Sequence, residues 1–174
     1  RAGICMSQSV GALNLAAGLQ DSYLASSPVI AITGRRRQYQ QLRHAYQEVD
    51  HTAPFSAVTK YNQVVVSLEQ LPFSLRQAFR VATSGNPGPV HLDLEGFVGH
   101  AIAEAEADFE VIAEESFISI PPFRPAPEND RIQDVISAIK QSERPVLVAG
   151  GGVTHSSAQQ EVVAIAERLS IPVA

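Results

Sequence analysis

The sequence predicts an α/β protein: a partial, doubly wound parallel-sheet domain followed by the start of a second, Rossmann-like α/β domain. Three observations predict it. Residues 4–34 carry a strand–helix–strand pattern, and a connection of that length favours parallel pairing. A second good helix, residues 67–84, leads through a proline turn into the alternating run Val90-His91-Leu92-Asp93-Leu94. A proline-dense stretch then precedes a further helix–strand–helix pattern that begins near residue 129.

The first strand is the short apolar run Ile4-Cys5-Met6. A polar turn, Ser7-Gln8-Ser9, leads into an apolar-periodic helix that starts at Val10 or Gly11 and runs to Ser26, with Ser9 as its N-cap. Leu13, Ala16, Ala17, Gln20, Tyr23 and Leu24 fall at three-and-four spacing and form the expected buried face. Pro28 closes that segment. Val29-Ile30-Ala31-Ile32-Thr33 is the second strand, with Gly34 as its stop. In parallel sheets ligands sit beyond the carboxyl ends of the strands, against helix N-termini. The turn at residues 7–14 and the loop after Gly34 are therefore where a site is expected.

Arg35-Arg36-Arg37-Gln38-Tyr39-Gln40-Gln41 is a polar loop: either an anion site at a strand's carboxyl end or a solvated charge run. Tyr46-Gln47-Glu48-Val49-Asp50-His51, running into residues 52–56, reads as a short helix broken by Pro54. Glu48, Asp50 and His51 match no metal-ligand spacing and read as a solvated helix end rather than an acid/base cluster. Val58-Thr59-Lys60-Tyr61 reads as a strand from its β-branched content. In the helix at 67–84, Leu71, Leu75, Ala78, Phe79 and Ala82 form the stripe, Pro72 sits in the first turn and Gly85 is the stop. In the turn Asn86-Pro87-Gly88-Pro89, Gly88 is free to take positive φ. His91, on the strand that follows, reads as a packed neighbour rather than a catalytic group.

Composition narrows the classes of function. Hydrophobic residues make up 45% of the 174 residues and charged residues 18%, enough apolar material to bury a core. The net charge of −5 supplies no basic excess to neutralise phosphates, which argues against nucleic acid and anionic membranes as partners. No apolar run approaches the roughly 18 residues that span a bilayer. A single cysteine, Cys5, excludes an internal disulfide and suits a reducing cytoplasm. The chain opens on Arg1 and closes on the strand-like Ile171-Pro172-Val173-Ala174, so a fragment of a longer protein is expected.

Residues 95–129 change character. The stretch 101–115 is acidic and alanine-rich, and Pro121-Pro122-Phe123-Arg124-Pro125-Ala126-Pro127 is nearly polyproline. A linker at 101–128 thus divides an N-terminal domain, 1–100, from the start of a second, 129–174. In the second, helices at 130–142 and 156–169 flank the strand Pro145-Val146-Leu147-Val148-Ala149. Gly150, Gly151 and Gly152 follow that strand. They are either a nucleotide-binding turn or a tight turn without ligand, since the full spaced glycine fingerprint is absent.

The order of several segments resembles one family. Gly11-Ala12-Leu13-Asn14 precedes an alanine-rich helix; then come residues 28–34, Tyr46-Gln47-Glu48-Val49-Asp50, Val58-Thr59-Lys60-Tyr61-Asn62, Leu71-Pro72 and Gly88-Pro89-Val90-His91-Leu92-Asp93. This resembles the thiamine diphosphate enzymes of the acetolactate synthase type, with residues 3–100 similar to their pyrimidine-binding domain and the remainder to the linker and the opening of the central domain. The resemblance implies carboligation or decarboxylation of 2-oxo acids, thiamine diphosphate with Mg2+, FAD in some members, and a homodimer or tetramer. It implies that Gly11 and Asn14 lie against the pyrimidine, that Gln47 lies near the substrate channel, and that Lys60 matches a lysine of the same region or is a surface lysine. The family usually reads Gly-Pro-Gly where this chain has Ser9-Val10-Gly11, and Phe where it has Tyr46. Asn86 and Glu95-Gly96 also depart from the acetolactate synthase pattern, which places its specific substrate contacts in doubt.

The family's catalytic glutamate lies upstream of the first helix motif, and its metal motif lies in a third domain. No catalytic residue and no metal ligand is therefore expected within this chain, and the 174 residues alone are expected to be inactive. The competing expectation is a non-catalytic module that binds a nucleotide at Gly150–Gly152, or one that serves dimerisation or regulation.

Overall fold

The computed structural model describes residues 2–98, 101–102, 108 and 113–174. Four strands, β1 (Gly3–Gln8), β2 (Val29–Arg35), β3 (Tyr61–Val65) and β4 (Val90–Glu95), form one sheet in the order β1-β2-β4-β3. Every pair is parallel. The expected α/β parallel fold is therefore the observed one. Helices α1 (Ser9–Leu24), α2 (Thr52–Ser56) and α3 (Leu71–Thr83) make the crossovers. A two-residue antiparallel pair, β5 (Phe97–Val98) with β6 (Ala101–Ile102), follows.

The period of two along each strand divides the side chains between two layers. Ile30, Val65, Val90 and Leu92 pack with Ala78 and Ala82 of α3 on one face. Ala31 packs with Ala12, Ala16 and Leu19 of α1 and Phe55 of α2 on the other. Both faces are covered, so alternating residues of β2 and β4 are buried on either side.

Several local expectations need correction. The buried face of α1 is Ser9, Ala12, Ala16 and Leu19, whereas Leu13, Tyr23 and Leu24 are exposed. The helix is apolar nearly all round, so periodicity alone could not choose its inner face. Gly34 does not stop β2, which continues to Arg35 because Arg35 pairs with Glu95 of β4. The third strand is Tyr61–Val65, not 58–61: Lys60 N–H donates to Pro89 O at 2.8 Å and pairing with β4 begins at Tyr61. Pro54 does not break a helix. It lies in the first turn of α2, where its missing N–H removes no intrahelical bond. No helix covers 46–51.

Gly85 does adopt the left-handed conformation after α3, at φ 61°. Gly88 does not. It is needed for space: a Cβ there would stand 2.8 Å from Lys60 Cδ.

Ser9 is not an N-cap. It lies inside α1, and Gln8 precedes it without a side-chain cap. Ser9 takes φ 49°, in the left-handed region where a Cβ is penalised. The strand-to-helix turn thus requires at this position the conformation that glycine adopts freely.

The chain divides into two compact units, Arg1–Pro122 and Phe123–Ala174. Most of the acidic stretch expected to open the linker lies outside the described residues. In the second unit α4 (Asn129–Gln141), α5 (Gly151–His155) and α6 (Gln159–Leu169) accompany a single parallel bridge, Leu147 to Val173. The expected strand at 145–149 is reduced to that bridge, since Leu147 and Ala149 have only residues 172–174 to pair with.

Within the first unit, Glu114 ties a short 3-10 turn (Glu115–Ile118) to α3. Arg80 Nε donates to Glu114 Oε2 at 2.6 Å and Arg76 Nε to Oε1 at 3.0 Å. The Arg80 guanidinium also lies 5.5 Å from the centre of the Phe117 ring.

Two outcomes are expected. Ser9→Gly relieves the left-handed strain, less the entropy that glycine gains when unfolded, and raises stability by about 0.5–1 kcal/mol; the urea midpoint reads this. Hydrogen bonds from Arg80, then Arg76, hold the Glu114 carboxyl down to about 2. A lowered carboxyl stabilises above its ordinary value near 4.5 and loses that contribution as pH falls through its folded value. A carbon-detected NMR titration of Glu114 is expected to show a midpoint near 2, moved back toward the ordinary value by Arg80→Gln.

Candidate active site

Parallel pairing brings the ends of β2, β3 and β4 to one edge, with residues 31, 33 and 35 beside 91 and 93. On the face covered by α1 and α2, Val29 and Ala31 of β2 join the apolar cluster, while Thr33, His91 and Asp93 form a buried polar network. Thr33 Oγ1 lies 2.7 Å from His91 Nε2 and 2.7 Å from Asp93 Oδ1. His51 Nδ1 lies 3.2 Å from the same Asp93 oxygen. His91 Nδ1 lies 2.7 Å from Asn62 Oδ1, and Asn62 Nδ2 donates to Thr52 O at 2.7 Å. The Phe55 ring stacks on His91 with centroids 3.7 Å apart.

Thr33, His51, His91 and Asp93 are each at most 1% exposed. Buried polar groups at this depth persist only when partnered. Burial pushes the His91 imidazole down to about 4, partly offset by Asp93.

Arg35 joins this network to a surface cleft. Its Nη1 lies 3.6 Å from Asp93 Oδ2, and its Nη2 lies 3.9 Å from the Asp50 carboxylate and 3.4 Å from Gln41 Oε1. The cleft, of about 340 Å3, is lined by Arg35, Arg36, Gln41, His44, Glu48 and Asp50 among others. Glu48 folds its loop by accepting from the backbone N–H groups of Leu42, Arg43 and Ala45. Those bonds, that of Ala45 first, hold its carboxyl below the usual range. The Arg36 guanidinium donates to Tyr46 O at 2.7 Å. Of the expected arginine run, then, Arg35 and Arg36 have structural partners.

The other expected site residues are scattered. Gly11 is in the first turn of α1, where a Cβ would come 2.6 Å from Ser7 Oγ. Asn14 is exposed one turn further along. Gln47 sits in the cleft loop at φ 61°, with Oε1 buried and without a hydrogen-bond partner. Lys60 lies at the opposite, amino edge of the sheet. Its Nζ donates to Val81 O at 2.7 Å and Ser84 O at 2.9 Å, closing the end of α3. Gly150–Gly152 stand at the bridge-to-α5 turn, and a Cβ on any of them would meet nothing within 4 Å.

The sequence gives Thr33, Asn62 and Asp93 no individual role, although Asn62 and Asp93 lie in the motifs of the resemblance; it reads His51 as a solvated helix end, whereas His51 is buried, and His91 as a packed neighbour. The signal was available: His91 and Asp93 alternate on a strand flanked by two helices that cover opposite faces, so neither side chain can reach water.

Fold and edge together define a parallel α/β domain of the kind that carries ligand sites beyond its strand ends. The thiamine pyrophosphate enzyme N-terminal TPP binding domain matches residues 1–53, and the central domain of the same enzymes matches residues 132–174. The probable acetolactate synthase large subunit of Methanocaldococcus jannaschii is 38% identical over 175 residues, covering 99% of this chain and 29% of the relative. Acetolactate synthase isozyme 1 large subunit of Escherichia coli K12 is 36% identical, covering 97% of this chain and 29% of the relative. The chain thus spans 29% of the length of these curated relatives. The Rhodococcus jostii thiamine diphosphate-dependent 4-hydroxybenzoylformate decarboxylase superposes with a TM-score of 0.79 at 23% identity, over 99% of this chain and 32% of that one. Residues 1–53 are thus homologous to the thiamine pyrophosphate enzyme N-terminal TPP binding domain, and the chain over nearly its whole length is similar to part of acetolactate synthase large subunits.

Thr33→Val keeps the shape of the side chain and leaves His91 Nε2 and Asp93 Oδ1 each short of a contact. A loss of about 1–3 kcal/mol in unfolding free energy is expected, with an unchanged denaturant slope.

Proposed function

We propose that this chain is the pyrimidine-binding part, with the opening of the central domain, of a thiamine diphosphate enzyme acting on 2-oxo acids by acetolactate synthase-like carboligation or by decarboxylation. Continuity supports this most: 38% identity to one acetolactate synthase subunit runs over 175 residues, through both matched domains in order.

The cofactor of this reading is thiamine diphosphate with Mg2+. When bound, it supplies a stabilised carbanion and an electron sink. The β1–α1 turn suits a flat ring. Gly11 leaves a space that a Cβ would fill against Ser7, and no side chain caps the first amides of α1. Met6 and Val10 expose apolar surface beside it, at 60% and 65%. We assign Gly11 and Asn14 to the pyrimidine and Gln47, with its unpartnered Oε1, to the substrate side. Lys60 receives no such role, because its ammonium is engaged with α3.

Among the described residues no group of three or more His, Cys, Asp or Glu side chains is placed to hold a metal ion. Mg2+ is accordingly assigned to no residue here, and neither is FAD. We place the parent in the cytoplasm as a homodimer or tetramer. The unpaired Cys5 supports the first, and the exposed Ile4, Met6, Val10 and Leu24 support the second. The described residues contain no helix long and apolar enough to cross a membrane.

Incubated with thiamine diphosphate, Mg2+ and pyruvate, the 174-residue chain is expected to show no turnover; measured turnover would contradict the assignment of its catalytic carboxylate elsewhere. Thiamine diphosphate alone is expected to shift the amide signals of residues 7–14, and Gly11→Val to abolish those shifts. Unmoved signals in the unsubstituted 174-residue chain would refute the cofactor assignment.

A further inference from the structure

We propose that Asp93, Thr33 and His91 form a proton-holding triad, which at neutral pH carries one proton more than an ionised aspartate and a neutral histidine would. The argument is an inventory of donors and acceptors along an unbroken chain of 2.7 Å contacts: Asp93 Oδ1, Thr33 Oγ1, His91 Nε2, then His91 Nδ1, Asn62 Oδ1, and finally Asn62 Nδ2 to Thr52 O.

With Asp93 ionised, its oxygen only accepts, so the single Thr33 hydrogen points to it. Thr33 Oγ1 must then accept from His91 Nε2–H. If the imidazole is neutral, Nδ1 is a lone pair, and it faces the carbonyl oxygen of Asn62 at 2.7 Å. Two acceptors at that distance repel. Turning the Asn62 amide over relieves this contact but sets Asn62 Oδ1 against Thr52 O, a carbonyl that only accepts, at the same 2.7 Å. The other neutral tautomer, with hydrogen on Nδ1, satisfies Asn62 but leaves His91 Nε2 and Asp93 Oδ1 competing for the one Thr33 hydrogen, so every arrangement of the unprotonated triad contains one unmatched pair of acceptors.

One added proton removes it, in either of two arrangements. In the first, His91 is an imidazolium that donates to Thr33 and Asn62, and Asp93 is ionised. In the second, Asp93 donates to Thr33, Thr33 donates to His91 Nε2, and His91 Nδ1–H donates to Asn62. The two interconvert when Asp93 Oδ1 passes its proton to Thr33 Oγ1 as Thr33 passes its own to His91 Nε2. Only O–H and N–H bonds change, and total charge is conserved. Burial disfavours the imidazolium of the first arrangement. Arg35 Nη1, 3.6 Å from Asp93 Oδ2, favours the ionised carboxylate of the first, so neither arrangement is excluded.

The charged and titratable groups facing the triad are Arg35 from β2 and His51 ahead of α2, with Asp50 beside Arg35. His51 Nδ1 reaches Asp93 Oδ1, and its Nε2 is buried without a partner. The triad is thus acid–base capacity in the buried middle of the sheet that the cofactor assignment does not use, and its proposal does not rest on that assignment.

Long-range proton–nitrogen NMR on the full chain, labelled with 15N-histidine, tests it directly. In both arrangements His91 Nδ1 carries hydrogen at pH 7. A neutral ring with hydrogen on Nε2 and a bare Nδ1 would overturn the proposal, as would hydrogen on Nδ1 without the pH dependence of stability that follows. Linkage gives a second reading. A folded chain that holds an extra proton loses stability as pH rises, and its unfolding constant grows about tenfold per pH unit between roughly pH 7 and 8. His91→Gln removes the need for that proton and is expected to flatten the excess slope; equal slopes in the two chains would overturn the triad.

Discussion

The parallel pairing of β2 with β4 is the constraint on which the rest depends. Its register sets Ile30 beside Val90, Ile32 beside Leu92 and Thr33 beside Asp93. A slip of one residue would exchange the faces of the strand, exposing Ile30 and Ile32 to the polar layer and driving Thr33 and Arg35 beneath α3. The apolar contacts with Ala78 and Ala82 on one side and the Thr33–Asp93 contact on the other are satisfied by the same register. Each reinforces the other, so the central pair is specified twice.

A buried polar layer is costly unless its groups find partners. Here most do, through Thr33, Asn62 and the stacking of Phe55 on His91. Among the described residues, the buried side-chain atoms left without a hydrogen bond are Arg35 Nε, Gln47 Oε1, His51 Nε2 and Asp93 Oδ2. Arg35 ends β2 and reaches back to Asp93, two residues before the end of β4, and His51 reaches the same Asp93. That concentration coincides with the edge at which parallel sheets bind ligands. Unfinished polar bonding and ligand geometry therefore point to the same corner of the fold.

The second unit shows the opposite balance. Ile171 is its one buried hydrophobic residue among those described, while Val135 of α4, Val146 and Val163 stand more than half exposed. Some fifty residues with a single strand bridge enclose little apolar volume, as the surface-to-volume ratio of short segments requires. The spacing of Ile132, Val135, Ile136 and Ile139 is that of a helix built to lie against a sheet. Its stripe and the glycines at 150–152 belong to a pattern whose packing needs more strands than these residues provide.

The sequence by itself determined the fold class, the strands at β1, β2 and β4, the stripe of α3 and the glycine that ends it; the helix expected from 67 begins only at Leu71, after a 3-10 turn at Leu68–Gln70. Each rests on a strong local signal: a β-branched run, a helical period, or a residue with special φ. The order of weak motifs also carried the family resemblance. Tertiary structure alone decided which face of α1 is buried, because an apolar helix offers no polar side to read. It moved the third strand to Tyr61–Val65, because strand bounds follow the partner's hydrogen bonds rather than local propensity. It also brought Thr33, His51, Asn62, His91 and Asp93 into one network. Those residues are separated by up to sixty positions, and no local pattern records that the register of two distant strands makes them neighbours.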